Sequence, residues 1–343
     1  MFVWSMSLSF DRRSSPRPVT IVVCLAGFVA AAGCGSLFPR PAGPSGPTSR
    51  DFYQQGMAAY RAGDTDGAIK ALTEATRRNP NFAAAHSALG DVYKQSGDHA
   101  AAATELEAVT RLEPNVAINH HRLALSYHFL NRLREAVASY LRAIRLEPTD
   151  WKSNMNLGLA YSALGDHNAA VEHAQRAVNL NPTSAVAYAN LGVTLDARGN
   201  RAEAEAAYRK ALDLDPSQST AAQNLVANLL DQKRPQAAID LITPLLANSD
   251  GAPLRRRYGD ALVMAGRERE AVTQYRQALQ RDGRYYAAMN GLASVLIKQY
   301  REGLLLDDRK RDESLDLWRQ SLRLNPNQPK VEAQLRLWEP KAG

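Results

Sequence analysis

Three histidines, His120, His121 and His128, fall within nine residues and form the densest group of side chains able to hold a metal ion or move a proton. On a helix, His121 and His128 share a face but stand two turns apart, about 10.5 Å along the axis, too far for one ion to bridge. Only two cysteines are present, Cys24 and Cys34, too few for a disulfide framework or a cysteine-rich zinc site. The chain lacks a Gly-x-Ser-x-Gly elbow, a His-Glu-x-x-His helix and a glycine-rich phosphate loop. These features predict no catalytic residue, no metal site and no cofactor, and no small-molecule substrate is expected.

The elements that would position any site begin with a leader. Arg12, Arg13 and Arg17 precede an apolar stretch from Val19 to Ala32, which ends in Ala31-Ala32-Gly33-Cys34. The order charged, apolar, small is that of a secretory signal peptide over residues 1–33, and the apolar run is shorter than the roughly 20 residues of a spanning helix. Residues 35–49 contain Pro39, Pro41, Pro44 and Pro47 among small and polar residues, a semi-extended tether that cannot form a packed core. The chain as a whole has ordinary globular composition, 45% hydrophobic and 22% charged over the 343 residues, with a mean hydropathy of −0.37. Wholesale disorder and a multi-span membrane protein are excluded on that basis.

Beyond the tether the chain repeats. Asn79-Pro80, Glu113-Pro114, Glu147-Pro148, Asn181-Pro182 and Asp215-Pro216 recur every 34 residues. In three of the units Leu89-Gly90, Leu157-Gly158 and Leu191-Gly192 are followed by Ala102, Ala170 and Ala204, small residues that let two helices approach closely. Gly63-Asp64, Gly97-Asp98 and Gly165-Asp166 offer a left-handed end for one helix and a capping carboxylate for the next. Asn131 stands in for the glycine once, and Lys233-Arg234-Pro235 replaces the turn in a sixth unit that is one residue short. An eighth unit returns to register nine residues late, at Asn325-Pro326, so an insertion falls at about residues 300–312.

On these motifs, residues 49–328 resemble the tetratricopeptide repeat, a pair of antiparallel helices per 34 residues. The resemblance implies an all-α fold: a solenoid of about eight helical hairpins, closed by a capping helix and tail over residues 329–343 that covers the last apolar face. It also implies that the first helix of each pair lines a concave groove for proteins or extended peptides. The Asn before the Leu-Gly leucine often hydrogen-bonds ligand backbone in this family, and Asn156, Asn190 and Asn224 hold that position in three successive units. A ladder of side-chain amides pairs with both donors and acceptors of an extended segment without reading its sequence. Around it, His121, Arg122, Leu125 and His128 in the third unit and Met155 and Leu159 in the fourth are expected to face the groove.

The leader end is similar to the lipobox of bacterial lipoproteins, which implies cleavage before Cys34, lipid on its sulfur and attachment to a membrane. Ala31 departs from the branched residue usual there, so ordinary cleavage and secretion is the alternative. Gly35 and Ser36, in place of an Asp after the cysteine, imply the outer membrane facing the periplasm rather than the inner membrane.

Charge is uneven. The chain carries 42 Lys+Arg against 35 Asp+Glu, yet from Gly251 onward there are 18 basic and 12 acidic residues, including Arg255-Arg256-Arg257 and Arg309-Lys310-Arg311. This end is suited to steer towards an acidic partner or an anionic envelope surface. Without a stripe of interleaved basic and aromatic residues, nucleic acid is not expected. The two resemblances together imply a non-enzymatic scaffold or assembly factor, similar in layout to repeat lipoproteins that assist pilus secretin assembly. Two alternatives stay open, a docking or regulatory subunit of a cell-wall enzyme complex and a glycan-contacting envelope protein.

Overall fold

The computed structural model describes residues 46–248 and 250–339. The leader, Cys34 and most of the tether lie outside the described residues, as do residues 340–343. Pro47–Gly343 is a compact unit with its own core.

Seventeen α-helices and no strand are found among the described residues. The first four hairpins are α1 (Ser49–Arg61) with α2 (Thr65–Arg78), α3 (Ala83–Ser96) with α4 (His99–Leu112), α5 (Ala117–Phe129) with α6 (Leu133–Leu146), and α7 (Trp151–Ala163) with α8 (His167–Leu180). The next four are α9 (Ala185–Arg198) with α10 (Arg201–Leu214), α11 (Ser219–Asp231) with α12 (Pro235–Asn248), α13 (Ala252–Met264) with α14 (Glu268–Arg281), and α15 (Tyr286–Glu302) with α16 (Asp308–Leu324). A single helix, α17 (Pro329–Trp338), packs on α16 and ends the stack. Each helix packs on its sequence neighbours, and first helices also touch the next first helix, as in α7 with α9 and α13 with α15. The fold is an all-α solenoid of eight hairpins and a closing helix.

Local chemistry fixes the hairpin ends. Gly97 and Gly165 adopt φ of 83° and 84°, a region open to glycine at no steric cost, and the following aspartates cap the next helix: Ala101 N–H donates to Asp98 and Ala169 N–H to Asp166. Asn131 and Lys233 reach positive φ, both 57°, where the glycine is missing. The insertion does not form a separate element. It lengthens α15 and α16 to 17 residues each and leaves the short loop 303–307 between them.

The core is a ribbon. The largest apolar cluster includes Met155, Tyr208, Leu229, Ile242, Tyr275 and Leu296 and so runs through the middle and later hairpins. A second cluster around Leu106, Tyr140 and Leu157 serves the earlier ones. Trp318 centres a third, with Ile297, Tyr300 and Leu315, against which Val331, Leu335 and Trp338 of α17 pack.

Candidate ligand groove

The 34-residue period places Asn156, Asn190 and Asn224 at the same turn of α7, α9 and α11. Asn156 and Asn190 are only 5% and 7% exposed, while Asn224 is half-buried. None of the three side-chain amides hydrogen-bonds to a described residue, and the Asn156 Oδ1 is buried without any partner. An unpaired buried amide costs about 1–3 kcal/mol, so this row is a reserve of polar groups that the fold itself does not use.

The other groove residues divide. Arg122 is engaged by α3, one repeat back: its guanidinium contacts Asp91 at 2.7 Å and donates to the Ser87 hydroxyl and carbonyl at 2.7 and 3.0 Å. Met155 and Leu159 are buried, and Met155 belongs to the main apolar cluster. The expected apolar patch is therefore closed over by neighbouring helices, because a superhelical stack packs adjacent first helices against each other. Leu125 is half-buried and packs against the second cluster.

His121 is also an interior residue. Its Nδ1 lies 2.7 Å from the hydroxyl of the fully buried Ser153, and that hydroxyl donates to Asp150, the cap of α7. With the serine proton committed to the carboxylate, the imidazole must carry its proton on Nδ1 and donate. The order His–Ser–Asp, with serine in the middle, ties α5 to α7 and leaves no activated nucleophile. The sequence does not reveal this His–Ser–Asp chain, because His121 lies 32 residues before Ser153 and each member has an ordinary repeat-position role. His121 and His128 each make a T-shaped pair with Tyr140, at centroid distances of 5.7 and 6.5 Å.

Burial lowers the pKa of His121, His128 and His173. For His121 desolvation outweighs the Asp150 carboxylate 3.7 Å away. The folded chain keeps these rings neutral, whereas the unfolded chain takes up protons at about pH 6.5. Stability is therefore full above that value and is lost as pH falls below it towards the lower folded values. The thermal midpoint should drop by a few degrees between about pH 7.5 and about pH 5.5, and His128→Gln should flatten that slope. Identical slopes in parent and variant would remove His128 as a cause.

The two basic runs lie on separate helices and are largely neutralised. Arg255 contacts Asp250 at 2.5 Å and Arg256 contacts Asp260 at 2.6 Å on α13. Asp250 also takes Arg281, and hydrogen bonds from the two guanidiniums hold its carboxyl far below the usual range. On α16, Lys310 pairs with Asp307, and Arg311 with Asp308 and Asp312. Arg257 and Arg309 have no ion pair among the described residues. The expected six-residue basic patch is thus two isolated cations.

No group of three His, Cys, Asp or Glu among the described residues is arranged to hold a metal ion. A shallow cleft of about 310 Å³ beside α11, lined by Ser217, Ser219, Gln223, Leu245 and Leu254, contains no titratable side chain.

Tetratricopeptide repeat models match residues 53–117 and 189–253, 152–217, and 124–165. The chain belongs to the tetratricopeptide repeat family. Solved relatives of this fold include a tetratricopeptide repeat protein from Parabacteroides merdae, 16% identical, with a TM-score of 0.60 over 72% of this chain and 98% of that one. PilW, a type IV pilus biogenesis factor, is 20% identical, with a TM-score of 0.51 over 58% of this chain and 93% of PilW. A chain of the anaphase-promoting complex assembly Cut9-Hcn1 is 15% identical, with a TM-score of 0.57 over 80% of this chain and 53% of its own length. No curated protein sequence matches. As a tetratricopeptide repeat protein, the chain is a scaffold for protein–protein interaction.

Proposed function

We propose that this protein is a non-enzymatic, membrane-tethered assembly scaffold that holds an extended segment of a partner along α7, α9 and α11. The observation that carries the reading is the row of side-chain amides at Asn156, Asn190 and Asn224, none of which is spent within the fold. Each amide carries a donor and an acceptor for a peptide backbone; Asn224 is half-buried and open to one, whereas Asn156 and Asn190 are as buried as Met155 and Leu159 and pair with a ligand only when the groove face of α7 and α9 opens. Engagement therefore starts at Asn224 and reaches Asn190 and Asn156 only with that opening. The leader and the proline-rich tether support attachment through lipid on Cys34, in the cell envelope with the solenoid facing the periplasm. A pilus or other envelope complex is the class of assembly such a tether would serve.

Crosslinking in intact cells, followed by identification of the trapped segment, tests the reading. Changing Asn156, Asn190 and Asn224 together to Ala should weaken capture of that segment about tenfold or more, since each lost hydrogen bond is worth about 0.5–1.5 kcal/mol. Unchanged capture would sink the groove assignment. Recovery of a hydrolase or synthase would favour the regulatory-subunit reading, and recovery of glycan alone would overturn both.

A further inference from the structure

The hairpin that carries the insertion ends in an apolar tip. Its helices α15 and α16 have 17 residues each, where the preceding ones have 13 or 14, so it reaches beyond its neighbours by roughly one turn, about 5 Å. At the tip Leu304, Leu305 and Leu306 are 79%, 50% and 82% exposed. Single exposed leucines are ordinary on a protein surface, but three in a row at a projecting loop are not. Leu304 and Leu305 hold φ of 58° and 61°, a left-handed conformation that leucine rarely adopts. The turn is fixed by the Leu305 N–H donating to the Tyr300 carbonyl at 3.0 Å and the Leu306 N–H donating to the Gly303 carbonyl at 3.3 Å. The backbone thus presents these side chains outward although Tyr300 and Trp318 offer an apolar cluster on the same hairpin.

Charge around the tip is also selective. Every acidic side chain between residues 298 and 312 is paired: Glu302 with Lys298, Asp307 with Lys310, and Asp308 and Asp312 with Arg311. Arg301, next to the end of α15, and Arg309, next to the start of α16, are exposed and have no ion pair among the described residues. The result is an apolar point flanked by two free cations, set in the part of the chain with 18 basic and 12 acidic residues.

We propose that this tip is a membrane-contact element: Leu304, Leu305 and Leu306 enter the outer edge of an anionic bilayer while Arg301 and Arg309 meet the lipid phosphates. Apolar side chains partition into the interfacial region and flanking cations are drawn to anionic headgroups, so the two features act on the same ligand. Three leucines bury too little for permanent anchorage, and the contact is reversible, of the order of a single acyl chain. It is independent of the groove and of any lipid on Cys34.

Co-sedimentation of residues 47–343 with vesicles tests this, since that unit carries its own core and lacks the leader. Binding is expected to vesicles of phosphatidylcholine with about one-third phosphatidylglycerol, and several-fold weaker binding to phosphatidylcholine alone. Leu304→Ser, Leu305→Ser and Leu306→Ser together should lower the partition coefficient about tenfold or more, with helicity unchanged by circular dichroism. Arg301→Glu with Arg309→Glu touches no core residue and should weaken binding only to the anionic vesicles. Absence of binding to anionic vesicles, or equal binding by the triple serine variant, overturns the proposal, as does salt-sensitive capture by an acidic protein without vesicle binding.

Discussion

Trp318→Ala is expected to lower the unfolding free energy of the last hairpin by about 3–5 kcal/mol while leaving the first hairpins at their original midpoint. The indole is 1% exposed and sits among Ile297, Tyr300 and Leu315. It also supports the surface on which Val331, Leu335 and Trp338 of α17 pack, with Trp338 edge-on to Tyr300 at 6.2 Å. Removing it opens a cavity that touches three helices at once. Because each unit of a solenoid packs only on its neighbours, the loss should stay local and unfolding should split into two stages. Hydrogen exchange would show α15 to α17 exchanging early, with α1 to α8 protected as in the parent. Trp338→Ala, at a half-buried site, should cost about 1 kcal/mol. A uniform shift of the whole chain in either variant would contradict the nearest-neighbour picture.

What was legible in the sequence was whatever is decided inside one repeat. Gly97-Asp98 reads as a turn and a cap because the left-handed φ and the capping carboxylate are local requirements, and both are met. Arg122 shows the limit. Its register places it on the right helix face, but Asp91 and Ser87, which capture it, lie a full repeat away. Charge counting fails at α13 for a different reason: a count of like residues in a run ignores carboxylates close at hand, Asp250 five residues from Arg255 and Asp260 one turn from Arg256, which neutralise it. Met155 and Leu159 were assigned to the correct helix, yet their burial depends on how closely successive first helices approach, a sum of small rotations that no single repeat encodes. The amide ladder was legible as a pattern. That its members are unpaired required the surroundings of each.

The small residues of the hairpins make a second large effect testable. A Cβ built on Gly158 would lie 2.8 Å from the Ala170 carbonyl oxygen and 3.2 Å from the Ala174 nitrogen, both backbone atoms of α8. Backbone cannot step aside without parting α7 from α8, so Gly158→Ala should destabilise the chain by about 1–3 kcal/mol despite the better helix propensity of alanine. At the equivalent position of the second unit, a Cβ on Gly90 would lie 3.3 Å from Leu106 Cγ, the branch point of a side chain that can give by a few tenths of an ångström. Gly90→Ala should stay within about 0.5 kcal/mol of the parent. Both variants gain the same intrinsic helix preference, so the difference between their denaturant midpoints isolates the clash with α8 from propensity. If the two shifts are equal, the helices of a hairpin adjust their spacing freely, and close approach at Gly158 is a consequence of the fold rather than a condition for it.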